Sequence, residues 1–197
     1  MKLVIATRNP NKLIEIREVL NLDPNIVKSS LDYPQIPDVI EDKETLEENA
    51  IKKAITISAA TGCWALADDS GLEVDALNGA PGVYSARYAG EHCSYIDNCK
   101  KLLFEMDGKE NRRARFRTVL ALVNLVGEIR TIEGSVEGRI LTEMRGDGGF
   151  GYDPIFMPDG YNLSYAEFDP LEKNRISHRG KALTSAIHEW GAIFNQI

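Results

Sequence analysis

Leu3 to Ala6 is a short continuous apolar run that predicts a buried strand. It stops at Thr7-Arg8-Asn9-Pro10-Asn11-Lys12, and apolar residues then recur at Leu13, Ile16, Val19 and Leu20, the spacing of an amphipathic helix. Residues 23–44 are rich in Pro, Asp and Ser and predict only a small strand near Ile26-Val27. Thr45-Leu46-Glu47-Glu48 has the form of a capping box, and Gly62 fits the stop of the helix it opens. Trp64-Ala65-Leu66-Ala67 predicts a second buried strand, ending at Asp68-Asp69-Ser70-Gly71, and the alternation from Leu72 to Leu77 predicts a third. Beyond the turn cluster Asn78 to Gly82, the segments Val83 to Tyr88 and Ser94 to Met106 read as helices. Thr118 to Val126 and Ile129 to Val136 predict an antiparallel hairpin, and Arg112 to Arg117, directly preceding it, reads as a solvated strand start. A glycine-rich stretch leads to Phe150, and Ala182, Leu183, Ala186 and Trp190 mark a closing helix.

Composition narrows the class. A chain of 197 residues predicts one domain, 1–197, long enough to bury a sizeable core and to carry two lobes. The net charge of −7 argues against a general nucleic-acid binder, while leaving room for a local basic pocket. Three cysteines without a C-x-x-C spacing argue against a disulfide framework or a zinc site, and three histidines against a multi-histidine metal site. No apolar run reaches membrane-spanning length, and Met1 to Ala6 is too short for a signal peptide. The expectation is a cytoplasmic protein with neither nucleic acid nor membrane as partner.

Three stretches carry candidate chemistry. A strand, a polar turn and a helix place helix N-terminal amides where an anion binds, so Thr7, Asn9 and Lys12 are candidates to grip phosphate, against an ordinary strand-to-helix turn capped by Asn. Asp68 and Asp69 at a strand end are costly if buried, because like charges repel. A divalent cation removes that cost, and oxygen ligands without a histidine cluster point to Mg²⁺ or Mn²⁺; an exposed acidic turn is the competing reading. Glu41 is a further metal candidate, and Lys52 or Lys53 is placed to point at the same acidic centre. Phe150 to Phe156, with Ser177-His178-Arg179-Gly180, offers an aromatic ring, a carboxylate, an imidazole and a guanidinium, which suits a flat anionic ligand such as a nucleotide. A hairpin rim and a helix cap would use the same residues.

Taken together, four blocks resemble the inosine triphosphate pyrophosphatase family, which hydrolyses non-standard purine nucleoside triphosphates. They are Ala6 to Lys12; Glu48-Asn49-Ala50 with Lys53; Ala67 to Leu72 running on through Gly79 to Arg87; and Gly148 to Pro154 with Lys173-Asn174 and Ser177 to Gly180. The resemblance implies an α/β fold: a long mixed central β-sheet with flanking helices and two lobes around an active-site cleft. It implies Mg²⁺-dependent hydrolysis of ITP, dITP or XTP to the monophosphate and pyrophosphate by a homodimer. Residue by residue it implies Asp69 as proton acceptor and metal ligand, with Lys12 and Lys53 offsetting charge. Thr7, Arg8, Asn9, Pro10, Asn11 and Lys12 would bind the triphosphate, and Ser70 would touch the substrate. Phe150, Gly151, Tyr152, Asp153, Lys173, His178 and Arg179 would surround the nucleotide, with Arg179 or His178 donating to the 6-oxygen of the base. The second metal ligand is left open among Glu41, Asp38 and Asp68. Leu46 stands where the family commonly has phenylalanine, a change in packing.

Overall fold

The structure is a computed structural model that describes residues 2–23 and 25–195. Its strands are β1 (Leu3–Ile5), β2 (Val27–Ser29), β3 (Trp64–Val74), β4 (Arg113–Val123), β5 (Ile129–Ile140) and β6 (Phe156–Pro158), in one mixed sheet of order β2-β1-β3-β4-β5-β6. β1 is parallel to both neighbours, with Val4 opposite Lys28 and Ala65, whereas β5 and β6 are antiparallel, with Arg139 opposite Met157. The helices are α1 (Pro10–Leu20), α2 (Leu46–Thr61), α3 (Tyr95–Glu105), α4 (Pro170–Ile176) and α5 (His178–Phe194). Among the described residues no helix is long and apolar enough to cross a membrane.

Local chemistry fixes the helix ends. Asn9 caps α1 by accepting from the amides of Asn11 and Lys12, and Pro10 occupies the first turn, where a missing N–H costs nothing. Thr45 caps α2 by accepting from the Glu48 amide at 3.1 Å, and Gly62 closes the helix in the left-handed region at φ 64°. The Glu48 carboxylate takes the Thr45 hydroxyl at 3.0 Å.

The chain divides into two compact units. The first is Met1–Asp69, Thr118–Gly134 and Arg179–Ile197; the second is Ser70–Arg117 and Ser135–His178. Each has its own apolar core. The first packs Leu3, Ile5, Ile16, Leu66 and Leu120 with Leu183 and Trp190 of α5. The second packs Leu72, Leu102, Met106, Phe116, Phe156 and Tyr165.

Several elements depart from the sequence expectation. β3 is a single strand that passes through Asp68-Asp69-Ser70-Gly71, where two strands and a break were expected, and Asp75–Leu77 is a 3-10 turn. Arg113, Arg115 and Arg117 are the strand start that alternation predicts, within β4, but they are paired rather than simply solvated. Alternation turns Ala114 and Phe116 into the core and sets the arginines against carboxylates: Arg113 on Asp159, Arg115 on Glu137 and Asp75, Arg117 on Glu73. The charges are matched. β5 continues past Val136 to Ile140, and Gly138 lets it do so, since a Cβ there would lie 2.6 Å from the Phe156 ring. The short elements α4 and β6 add to the expected set.

Candidate active site

In the first unit the chemistry converges on β3. Neighbouring residues of a strand face opposite ways, so Asp68 and Asp69 meet different partners. Asp68, 2% exposed, presents Oδ2 to the Lys12 ammonium at 3.0 Å and to Nε and Nη2 of Arg179 at 3.2 and 3.1 Å. The Nη1 of Arg179 pairs with Glu15, which lies on the same side of α1 as Lys12, three residues on. Burial pushes the Asp68 carboxyl up, but Lys12, Arg179 and Lys53 outweigh it and hold the group well below the usual carboxylate range.

Asp69 meets Lys53 of α2. That ammonium lies 3.0 Å from Asp69 Oδ1, 2.6 Å from Glu41 Oε1 and 2.6 Å from the carbonyl oxygen of Asp68. Burial works to lower the Lys53 pKa, yet Asp69, Glu41 and Asp68 push it up to about 12, so the ammonium stays charged. The Asp69 carboxyl is raised, by burial above all, with the charge of Glu41 adding and that of Lys53 opposing. Glu41 is lowered: burial raises it, but Lys53 and Lys12 prevail. Two neighbouring carboxylates are thus tuned in opposite directions, the arrangement that separates a fixed charge from a proton acceptor.

The segment carrying Glu41 is tied down at three points. Arg8 donates to the carbonyl of Ile36 and pairs with Asp38; Lys52 donates to the carbonyl of Ile40 and to Asp42; Asn49 both accepts from the amide and donates to the carbonyl of Lys43. Arg8, expected on the triphosphate, is here engaged with the 36–38 segment. Asp38 faces Arg8, which leaves Glu41 as the carboxylate that shares Lys53 with Asp69.

The second unit assembles the remaining candidates. Asp153 Oδ2 accepts from the Phe150 amide and from the Lys173 ammonium, each at 2.7 Å, and the same ammonium sits 4.6 Å over the Phe150 ring. The Tyr152 hydroxyl donates to the Ser85 carbonyl at 2.8 Å, which makes Tyr152 a structural tie. His178 stacks on Phe116 at 4.6 Å and 7°, held by an aromatic neighbour. His178 and Arg179, adjacent in sequence and each expected as a possible donor to the base, have different partners: the imidazole joins an aromatic stack and the guanidinium two carboxylates. Gly151 has φ 64°. Thr7 accepts from the Asn9 amide at 3.2 Å, shaping the turn before α1. Ser70 is half-buried on β3.

Gly149 is what lets Asp153 approach. Its φ is +70°, and a Cβ would lie 2.1 Å from Asp153 Oδ2. Gly149→Ala is expected to cost about 2–3 kcal/mol, from left-handed strain plus displacement of the carboxylate. In a thermal melt that corresponds to a loss of roughly 4–12 °C for a chain of this size. An unchanged melting temperature would show that the carboxylate relaxes freely.

Among the described residues no group of three His, Cys, Asp or Glu side chains forms a ready metal cage. The donor chemistry nonetheless suits Mg²⁺, which takes one or two carboxylates and completes its shell with water and phosphate oxygens. Glu41 and Asp69 are hard oxygen donors facing one cationic position, and a carboxyl raised by burial, with a like-charged neighbour adding, is one a divalent cation would relieve. Glu15 is the buried carboxylate that the sequence reading passed over; its signal is the i, i+3 spacing from Lys12 on the inner side of α1.

The family model described as "Ham1 family" matches residues 3–189. The dITP/XTP pyrophosphatase of Desulforamulus reducens is 52% identical over 189 residues, covering 95% of this chain and 94% of that protein. That of Desulfotalea psychrophila is 51% identical over 181 residues, 92% of this chain and 81% of that protein. Among solved structures, a HAM1 protein from Coxiella burnetii superimposes with TM-score 0.87 at 40% identity over the whole of both chains. The Ham1 protein of Staphylococcus aureus gives 0.88 at 36% identity, covering 98% of this chain and 100% of that one.

Proposed function

The chain belongs to the Ham1 family, and we propose that it hydrolyses non-standard purine nucleoside triphosphates (ITP, dITP and XTP) to the monophosphate and pyrophosphate. The observation that carries the chemistry is the cluster of buried Lys53, Asp68 and Asp69 with half-buried Lys12 and Glu41, in which one carboxyl is raised and its neighbour held ionised.

Water attacks the α-phosphorus in line, the bond to the bridging oxygen breaks, and pyrophosphate departs with most of the charge. Such a step needs positioning and charge neutralisation more than covalent help. Asp69 accepts the proton of the attacking water, a task favoured by a carboxyl whose pKa lies nearer neutrality than usual. Lys12 and Lys53 neutralise phosphate charge. Mg²⁺, which Asp69 and Glu41 would hold, supplies further neutralisation and a more acidic water when bound. Asp68 keeps Lys12 and Arg179 in place as a permanently ionised anchor.

Taken by itself, the second unit offers its own candidates for base selection. The Phe150 ring offers a stacking face, and Lys173, held by Asp153, is a donor for the 6-oxygen of hypoxanthine or xanthine. Adenine sets an amine against that donor, and an unpaired buried polar group costs about 1–3 kcal/mol, roughly ten- to a hundredfold. The homodimer and the cytoplasmic setting belong to the same proposal, supported by the sequence resemblance and by the unpaired cysteines respectively.

A panel of nucleoside triphosphates with Mg²⁺, scored for pyrophosphate against orthophosphate, tests the reading. Pyrophosphate is expected from ITP, dITP and XTP, with ATP turned over at least about tenfold more slowly. Orthophosphate as the product, or equal rates on ATP, would overturn it.

A further inference from the structure

Asn49 belongs to one of the blocks that mark the family resemblance, yet the chemistry above gives it no role. It is 1% exposed in the second turn of α2, one helical turn before Lys53. A buried carboxamide needs its hydrogen bonds met, and Asn49 meets them on one residue of the neighbouring segment: Oδ1 accepts from the Lys43 amide at 3.0 Å, and Nδ2 donates to the Lys43 carbonyl at 3.4 Å. That pairing copies a backbone ladder, and so fixes the segment in distance and direction. Two residues before Lys43, Glu41 reaches Lys53 at 2.6 Å. One helix therefore supplies both the ammonium and the clasp that delivers a carboxylate to it. Lys52 reinforces the clasp from outside, with 2.8 Å to the Ile40 carbonyl and 2.7 Å to Asp42.

We infer that Asn49 is a positioning residue for the reaction: by pairing with the Lys43 backbone it sets Glu41 on Lys53, and through that contact the Lys53–Asp69 geometry. The inference rests on the proposed hydrolysis for its kinetic consequence, but not for its structural one. Removing the carboxamide frees the 38–44 segment without touching any group that meets the substrate, so the loss falls on turnover more than on substrate binding.

The test is a double-mutant cycle with hydrogen exchange as a second readout. Asn49→Ala is expected to lower kcat on ITP roughly 10- to 100-fold, the usual cost of losing an orienting partner, with KM changed by less than about threefold. Amide exchange over residues 38–44 is expected to speed up by about tenfold or more, with the rest of the chain unchanged. In a Glu41→Gln background the same substitution is expected to cost less than about twofold in kcat, because residues acting through one contact are not additive. A full additional loss in that background, or a parental exchange rate over 38–44, would overturn the inference. Should Asn49→Ala fail to fold, Lys52→Ala loosens the same segment from the surface and is held to the same pattern at smaller size. If the parent chain hydrolyses no triphosphate, the proposed function fails, and the exchange comparison still decides the clasp.

Discussion

Asp69→Asn is expected to reduce pyrophosphate release from ITP by about 10³-fold or more, since it removes the proposed proton acceptor and a charge that faces the proposed cation, effects worth about 10²–10⁴-fold for the base alone. The amide keeps the size of the side chain and an oxygen toward Lys53, so the fold should persist. The informative companion is the thermal melt. The Asp69 carboxyl is raised by burial beside Glu41, so ionised Asp69 is a cost to the folded state at neutral pH. Asparagine removes that cost, and the variant is expected to melt at or above the parental temperature while losing activity. Near-parental turnover would remove Asp69 from the chemistry, and a collapsed melt would mean that the ion pair with Lys53 outweighs burial.

Lys53→Met should show the opposite balance. Lys53 is 8% exposed, and its ammonium lies within 3.0 Å of two carboxylates and a backbone carbonyl. An apolar side chain of similar length leaves Glu41 and Asp69 facing each other without a cation. Breaking a buried pair from one side costs about 3–5 kcal/mol, a large part of the stability of an ordinary domain. The expected drop in melting temperature is roughly 6–20 °C. Added Mg²⁺ should recover part of it, because a ligand that binds only the folded state stabilises it by mass action. A variant as stable as the parent would mean that water reaches the carboxylates, and the absence of any Mg²⁺ effect would argue against Glu41 and Asp69 as its ligands.

Much of the fold was legible because the signals were local. The apolar run of β1, the Asn9 and Thr45 caps and the Gly62 stop need only neighbours in sequence, and the structure places α1, α2 and α5 where periodicity put them. The failures share a cause. Asp68-Asp69 read as the end of a strand, and Arg112 to Arg117 only as the solvated start of another, because charge in a strand is costly in isolation. Both stretches are extended in the structure since distant residues neutralise them: Lys12, Arg179 and Lys53 for the carboxylates, Glu73, Asp75, Glu137 and Asp159 for the arginines. No short-range pattern reports such partners. The candidate site followed the same division. Asp69, Lys12 and Lys53 were identified by residue type and resemblance, and the structure brings Lys12 to Asp68 and Lys53 to Asp69. Arg8 was placed on the triphosphate by the resemblance alone, and its engagement with Ile36 and Asp38 depends on a segment some thirty residues away. Glu15 was hidden by its setting in α1, where an acidic side chain beside Ile16 looks solvated until Arg179 is seen against it.

The unbroken course of β3 makes this protein unforgiving of length changes. Deleting or inserting one residue between Trp64 and Ala67 would rotate the aspartates by half a turn, offering Asp69 to Lys12 and Arg179 and Asp68 to Lys53. Point substitutions in that stretch preserve the parity of the strand, whereas a single-codon indel would exchange the partners of the two aspartates.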